Sequence, residues 1–129
     1  MLTLLATLAL TAPALAGEIQ WAQMTGRSGF LAVGTSRIDG NGTAYIDNGA
    51  PVFVSGDYLR YVNIDWDYKY GQAGLIKMKM SSGDKCLDAG LTPGNGTPLK
   101  VWDCYEGYDA QNFKVHDSRI ELVGKVALS

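Results

Sequence analysis

Short runs in which apolar and polar residues alternate fill much of the chain, and none is long enough for an amphipathic helix. A period of two is typical of half-buried strands. Nine runs have this pattern and are predicted as strands: Ile19–Ala22, Phe30–Val33, Pro51–Val54, Ile64–Tyr68, Leu75–Met80, Lys85–Asp88, Leu99–Asp103, Asn112–His116 and Arg119–Leu122. The 16 glycines all lie outside these runs, where turns are needed. The pattern predicts an all-β fold.

The most informative stretch runs from Cys86 to Phe113. A turn cluster, Pro93-Gly94-Asn95-Gly96, separates two apolar runs within it and predicts a hairpin. In the second run Val101 alternates with Lys100 and Trp102, so the indole is predicted to share the outer face with a lysine.

Both cysteines of the chain lie in this stretch, with Asp88 two residues after Cys86 and Trp102 two residues before Cys104. A Cys86–Cys104 disulfide would hold a carboxylate and an outward indole side by side; the alternative is two free buried thiols. An aromatic face beside a hydroxyl acceptor suits a small carbohydrate site. For Asp88 the alternative role is to cap its own turn.

The chain begins with an uncharged apolar segment, Met1–Ala16, that ends in the small-x-small pattern Ala14-Leu15-Ala16. This segment is predicted to be a secretory signal peptide cleaved before Gly17, leaving residues 17–129 as one domain. It is shorter than the roughly 20 residues that span a bilayer, and no other segment is predicted to span one. Secretion favours the disulfide over free thiols.

Charge and composition narrow the function classes. The chain has 11 basic and 13 acidic side chains and a net charge of -2, which argues against nucleic acid or an anionic membrane as partner. His116 is the only histidine. No nucleophile or metal-ligand motif is present, so neither an enzyme nor a cofactor is predicted. Asp65 and Asp67 could imitate a glycosidase pair, but nothing around them implies a pocket.

An internal repeat organises the strands. Asn48-Gly49-Ala50-Pro51-Val52 recurs 47 positions later as Asn95-Gly96-Thr97-Pro98-Leu99, and each copy has a large aromatic residue further on, Trp66 and Phe113. In the first copy the aligned positions carry other residues: Phe30 for Cys86, Asp57 for Cys104, Ala32 for Asp88 and Ser55 for Trp102. The two cysteine positions are lost together, as paired residues would be. The candidate site is therefore predicted only in the second copy.

The second copy resembles one repeat of the ricin-B-type lectins, because Cys-Leu-Asp, Asn-Gly, Val-Trp-Asp-Cys and Gln111-Asn112-Phe113 follow one another in that family's order. These lectins are β-trefoils of three such repeats, and the similarity is closest to secreted fungal members. The resemblance is strong over residues 83–124 and weaker over residues 18–68.

The resemblance implies three sugar-binding residues. Asp88 would accept hydrogen bonds from sugar hydroxyls, Trp102 would stack on the sugar ring, and Gln111 would complete the polar side. The chain departs from many galactose binders at Ala110, where an asparagine is usual, and at Phe113, where tryptophan is usual. Galactose-type or other saccharides are the expected partners. A structural role in its turn is the alternative for Gln111, and covering the bottom of the barrel or forming a contact surface is the alternative for Trp102.

The resemblance also implies an incomplete β-trefoil, because two of the three repeats are present. Apolar residues at the open side, namely Met78, Met80, Val115 and Ile120, are then expected to be exposed and to promote self-association. Two alternatives to the lectin remain: a protein-binding trefoil, such as a secreted protease inhibitor, and a degenerate fragment without activity. Asn41-Gly42-Thr43 and Asn95-Gly96-Thr97 are N-glycosylation sequons, and Asn41 is the favoured acceptor because Pro98 follows the second.

Overall fold

The computed structural model describes the backbone of residues 15–18, 20–22, 28–55, 62–94, 96–117 and 119–124, and the side chains of 30–54, 63–94, 96–117 and 119–124. Residues 1–14 of the predicted leader lie outside the described residues, as do Ile19, Asp57, Asn95 and residues 125–129. The described residues contain no α-helix; their one helical element is a 3₁₀ turn, η1, at Asp109–Gln111. The predicted all-β class is confirmed.

Each of the nine predicted runs overlaps a strand, and the sequence pattern missed β1, β4, β5 and β7. The strands are β1 Leu15–Glu18, β2 Gln20–Ala22, β3 Ser28–Gly34, β4 Arg37–Ile38, β5 Ala44–Tyr45, β6 Val52–Ser55, β7 Val62–Asn63, β8 Asp65–Tyr68, β9 Lys77–Met78, β10 Lys85–Asp88, β11 Lys100–Asp103, β12 Phe113–His116 and β13 Arg119–Leu122. Because β1 starts at Leu15, cleavage before Gly17 would leave Gly17 and Glu18 in this strand.

All strand pairs in the described residues are antiparallel. β1, β8, β9, β10 and β11 form a sheet in that order; β2, β3 and β6 form a second sheet, in which β7 also pairs with β3. β4–β5 and β12–β13 are separate two-stranded hairpins.

The chain entering β6 joins the two larger sheets. Pro51 forms an isolated bridge with Lys100, the Gly49 N–H donates to the Val101 carbonyl at 2.8 Å, and the Val52 N–H donates to the Leu99 carbonyl at 3.0 Å. β11 therefore lies between β10 and the Gly49–Val52 segment. This placement fixes the backbone that carries Trp102 from both sides.

The core forms around Trp66, which has no exposed surface and whose Nε1–H donates to the Leu31 carbonyl at 2.9 Å. The buried residues of the cluster are Val33, Ile46, Trp66, Ile76, Met78, Leu87, Ala89, Val101 and Phe113. Burying large apolar side chains of this kind stabilises a fold by about 1.5–3 kcal/mol each. Both aromatic residues predicted at the repeat positions, Trp66 and Phe113, belong to this core.

The expected exposure of four apolar residues needs correction. Met78 is only 1% exposed, because β9 lies between β8 and β10 and pairs Met78 with Trp66 on one side and Lys85 on the other. Met80, Val115 and Ile120 are partly buried and pack against the core cluster. The expected exposure of Met78 is therefore wrong. Self-association of the protein stays a prediction.

Candidate functional site

The site is built on the hairpin formed by β10 and β11. Its register pairs Cys86 with Trp102, Leu87 with Val101 and Asp88 with Lys100. Cross-strand partners share a face, so the fully buried Leu87 and Val101 face the core. Cys86, Asp88, Lys100 and Trp102 lie together on the other face, as the alternation in the sequence predicts.

The predicted disulfide is present. Cys86 and Cys104 are bonded, with their Cα atoms 5.1 Å apart, and the described residues contain no free cysteine. The alternative of two free thiols is therefore wrong. The bridge ties the end of β11 to the middle of β10, directly beside Trp102.

Trp102 is the large exposed group on this face, with 37% of its surface accessible. Its Cζ3 atom lies 3.7 Å from the place where Gly49 would carry a Cβ, and Gly49 has a φ of +90° that favours glycine. The Lys100 ammonium lies over the indole, 5.4 Å from its ring centroid. A glycine turn and a lysine thus border the aromatic surface.

Asp88 lies on the same face but is only 3% exposed. Its Oδ1 accepts a hydrogen bond from the Gly90 N–H at 2.7 Å, which is the turn-capping role weighed as the alternative. Its Oδ2 accepts from Gln111 Nε2 at 3.0 Å. Direct acceptance of a sugar hydroxyl by Asp88 stays a prediction, and an ionised carboxylate has acceptor positions beyond these two bonds.

Gln111 has no exposed surface, and its amide is fully engaged. Nε2 donates to Asp88 Oδ2 and, at 2.8 Å, to the Asp103 carbonyl, while Oε1 accepts from the Tyr105 N–H at 2.9 Å. Both amide hydrogens are therefore used within the protein. These bonds fit the structural alternative for Gln111, because they hold the segment after Cys104 over the hairpin.

That segment carries two tyrosines that sequence reasoning did not single out. Tyr105 and Tyr108 are 51% and 36% exposed and meet edge to face with ring centroids 6.0 Å apart. The Tyr108 N–H donates to the Tyr105 carbonyl, and Gly107 has a φ of +77°, so they flank a tight turn. The sequence signal for this feature was the pair of tyrosines around Gly107, directly after Cys104, which is typical of an exposed turn.

An ion-paired cluster lies at the open end of the hairpin, where Lys85 at the start of β10 pairs with Asp103 at the end of β11. Lys85 Nζ donates to Asp103 Oδ1 at 2.7 Å and to Asn48 Oδ1 at 2.9 Å, and Asn48 Nδ2 donates to Asp103 Oδ2 at 3.0 Å. The hydrogen bonds from Lys85 and then Asn48 hold the pKa of the Asp103 carboxyl below its ordinary value of 3.8. The cluster connects the Asn48-Gly49 turn, which borders Trp102, to β10 and β11.

A groove of roughly 330 Å³ opens at the hairpin's turn, lined by Ala89, Pro93, Gly94, Thr97, Leu99 and Leu122. Ala89 in its lining is the residue next to Asp88 in the chain. The Ala89 N–H donates to the Ala110 carbonyl at 2.9 Å, which holds this side of the groove against η1. Its walls are mostly apolar, and Leu91 in the same turn is 84% exposed.

The first repeat has the same backbone pairing without the site. β3 pairs with β6 so that Phe30 faces Ser55, just as Cys86 faces Trp102 at the aligned positions. The pairing of Val33 with Asn63 likewise matches the bond between Ala89 and Ala110. Ala32 and Phe53 occupy the places of Asp88 and Lys100, so the carboxylate and the cation are both missing there.

The remaining candidates lie elsewhere. His116 on β12 is bracketed by Asp117 and Glu121, and its hydrogen bond holds the pKa of the Glu121 carboxyl below the ordinary value. Asp65 and Asp67 flank the buried Trp66 on β8. Asn41 lies in the exposed turn between β4 and β5, where Asp39 Oδ1 accepts from its N–H at 2.9 Å. The described residues hold no group of three or more His, Cys, Asp and Glu side chains that could bind a metal ion.

No family model, curated protein or solved structure matches the chain. Within the part of the chain that the structure describes, no helix is long and apolar enough to cross a membrane.

Proposed function

We propose that this protein is a secreted lectin of the ricin-B type with one saccharide site, on the outer face of the β10–β11 hairpin. The observation that carries the proposal is the convergence of three separate motif segments. The disulfide joins Cys86 to Cys104, the side chains of Gln111 and Asp88 are hydrogen-bonded at 3.0 Å, and the exposed Trp102 is the cross-strand partner of Cys86. Sequence-distant residues of one motif therefore meet on the hairpin that carries an exposed indole.

Trp102 supplies the stacking surface. The C–H face of a pyranose is apolar, and an exposed indole held by a disulfide and a neighbouring glycine turn offers it a flat partner at little entropic cost. Asp88 and Gln111 connect the turn after β10 with the segment after Cys104, because Asp88 accepts from the Gly90 N–H and Gln111 accepts from the Tyr105 N–H. A sugar hydroxyl that reaches Asp88 would find unused acceptor positions on its carboxylate.

The matching register of the two hairpins supports the β-trefoil assignment, because repeats of one ancestral unit keep their strand pairing. The disulfide supports secretion through the predicted leader, since such bonds persist in oxidising compartments. Galactose-type saccharides are the ligands that the resemblance implies. A shallow site of one aromatic ring and few hydrogen bonds predicts dissociation constants of about 0.1–1 mM.

Retention on immobilised saccharides tests the proposal. The purified protein is passed over columns carrying galactose, lactose or N-acetylgalactosamine, together with the Trp102→Ala and Phe53→Ala variants. Phe53, at 39% exposure, is a matched control on the first repeat. Retarded elution is expected for the wild type and for Phe53→Ala, and its loss for Trp102→Ala. Equal retention of all three proteins would contradict the assigned site.

One observation favours a second candidate, a protein-binding module. Leu91, the most exposed of the large apolar residues in the described part of the chain, projects from the hairpin turn beside the apolar groove. An exposed leucine on a turn gains free energy when a partner buries its apolar surface. Inhibition of a secreted protease that disappears in Leu91→Ser, with no retention on any saccharide, would establish this alternative.

A further inference from the structure

The Lys100 ammonium occupies a defined place at the saccharide face. It lies over the Trp102 indole, 5.4 Å from the ring centroid, and 3.6 Å from the position of a Cβ on Gly90. The charge therefore lies between the stacking surface and the turn after β10. A ligand that stacks on this face of the indole meets the ammonium.

Among the described residues of the hairpin, no carboxylate forms an ion pair with Lys100. Asp88 is its cross-strand partner, but the buried Asp88 oxygens are directed to the Gly90 N–H and the Gln111 amide rather than to the ammonium. Asp103, on the same strand, is paired with Lys85. Within the described residues, no carboxylate lies within 4 Å of the Lys100 ammonium. The indole is thus the cation's partner at this face.

The placement has opposite consequences for neutral and acidic sugars. A neutral sugar that stacks on this side of the indole displaces the ammonium from the ring and gives it no ionic partner, so the cation–π contact is lost. A sugar that carries a carboxylate or sulfate displaces it equally but supplies an ionic partner in return. Desolvation by the stacked ring strengthens that ion pair.

We infer that the site prefers acidic saccharides, with Lys100 as the residue that recognises the anionic group beside the stacked ring. The inference rests on the proposed lectin function and names the chemistry of its ligand. The first repeat has Phe53 at the position of Lys100 and Ser55 at the position of Trp102, so it lacks both the cation and the stacking residue.

A matched pair of ligands isolates the charge. Methyl galactoside and methyl galacturonide differ only at C6, which is a hydroxymethyl group in one and an ionised carboxylate in the other at neutral pH. Dissociation constants are measured from the shift of the Trp102 indole N–H resonance. The proteins are the wild type, Lys100→Met, Lys100→Arg and, as an exposed control remote from the site, Lys79→Met.

The galacturonide is expected to bind the wild type about two- to fivefold more tightly at low salt, the range of a solvent-accessible ion pair. The preference should vanish in Lys100→Met, which keeps most of the aliphatic stem, and persist in Lys100→Arg and Lys79→Met. It should shrink at about 500 mM salt, where screening is strong.

The contrary outcomes separate the two proposals. Equal or weaker binding of the galacturonide by the wild type, with binding of the galactoside intact, overturns the preference and leaves the lectin function standing. Galacturonide binding that moves backbone amide resonances of the protein but leaves the Trp102 indole resonance unmoved also overturns the preference. If neither glycoside nor any neutral saccharide moves that resonance, the lectin proposal fails and the preference fails with it.

Discussion

Replacing Gln111 by alanine should destabilise the fold far more than its single polar side chain suggests. Gln111 is fully buried, and its loss leaves three groups without a partner: the Asp88 Oδ2, the Asp103 carbonyl and the Tyr105 N–H. A buried polar group left unpaired costs about 1–3 kcal/mol, and the vacated volume adds a cavity cost. Water can reach the groups near the exposed Tyr105, which lowers the sum. The expected loss is about 3–4 kcal/mol.

Urea unfolding at pH 7 measures this loss directly. For a small domain with an m-value of about 1–3 kcal/mol/M, such a loss moves the midpoint by more than about 1 M. Gln72→Ala is the matched control, because Gln72 is exposed in a turn and its change should stay within about 0.5 kcal/mol. A loss below about 1 kcal/mol for Gln111→Ala, at an unchanged m-value, would refute the claim that the three hydrogen bonds of the Gln111 side chain stabilise the fold.

A second variant separates lost bonds from lost volume. Gln111→Glu keeps the shape but replaces the donor that faces Asp88 Oδ2 with a second carboxylate. The two buried acids then repel each other when both are ionised, so this variant should be least stable at neutral pH and recover as the pH falls and the pair takes up a proton. Equal destabilisation at pH 7 and pH 4 would argue against a direct contact between residues 111 and 88.

Two further predictions concern the framework of the hairpin. Replacing Cys86 and Cys104 together by serine should lower the free energy of unfolding by about 3 kcal/mol, because the bridge closes a loop with a sequence separation of 18; a loss under about 1 kcal/mol in urea unfolding would contradict this. The lowered pKa of Asp103 stabilises the fold above the carboxyl's unfolded value and stops doing so as the pH falls through the folded value. Asp103→Asn should therefore be less stable than the wild type at pH 6, and the gap should narrow by pH 3; a gap that widens in acid would contradict the ion-pair assignment.

Local pattern was enough to predict nine of the thirteen strands of the described residues and the outward side chain of Trp102. Each predicted run overlaps a strand, and Trp102 points away from the core, because a strand's faces follow directly from its period. The strands β4 and β5 were not predicted, because two residues are too few to show an alternation of apolar and polar side chains. Asp39-Gly40-Asn41-Gly42 between them was a readable turn signal.

What the pattern could not predict is which outward face another segment later covers. Asp88 belongs to the outer face of the hairpin, yet it is buried, and the side chain bonded to its carboxylate is that of Gln111. The placement of that side chain depends on bonds to backbone groups of Asp103 and Tyr105, which only the assembled fold brings within reach. Alternation predicted that Lys100 and Trp102 share a face, but the approach of the ammonium to the ring and the edge-to-face contact of Tyr105 with Tyr108 are seen only in the structure.

The central claim is that a saccharide stacks on Trp102, and indole N–H resonances test it most directly. The chain has 3 tryptophans, and Trp66, whose Nε1–H is bonded to the Leu31 carbonyl in the core, is an internal reference. Titration with a panel of neutral and acidic saccharides should move the Trp102 resonance saturably, with a dissociation constant of about 0.1–1 mM, and leave Trp66 unmoved. A panel that moves neither resonance up to tens of millimolar would contradict the assignment of this protein as a lectin.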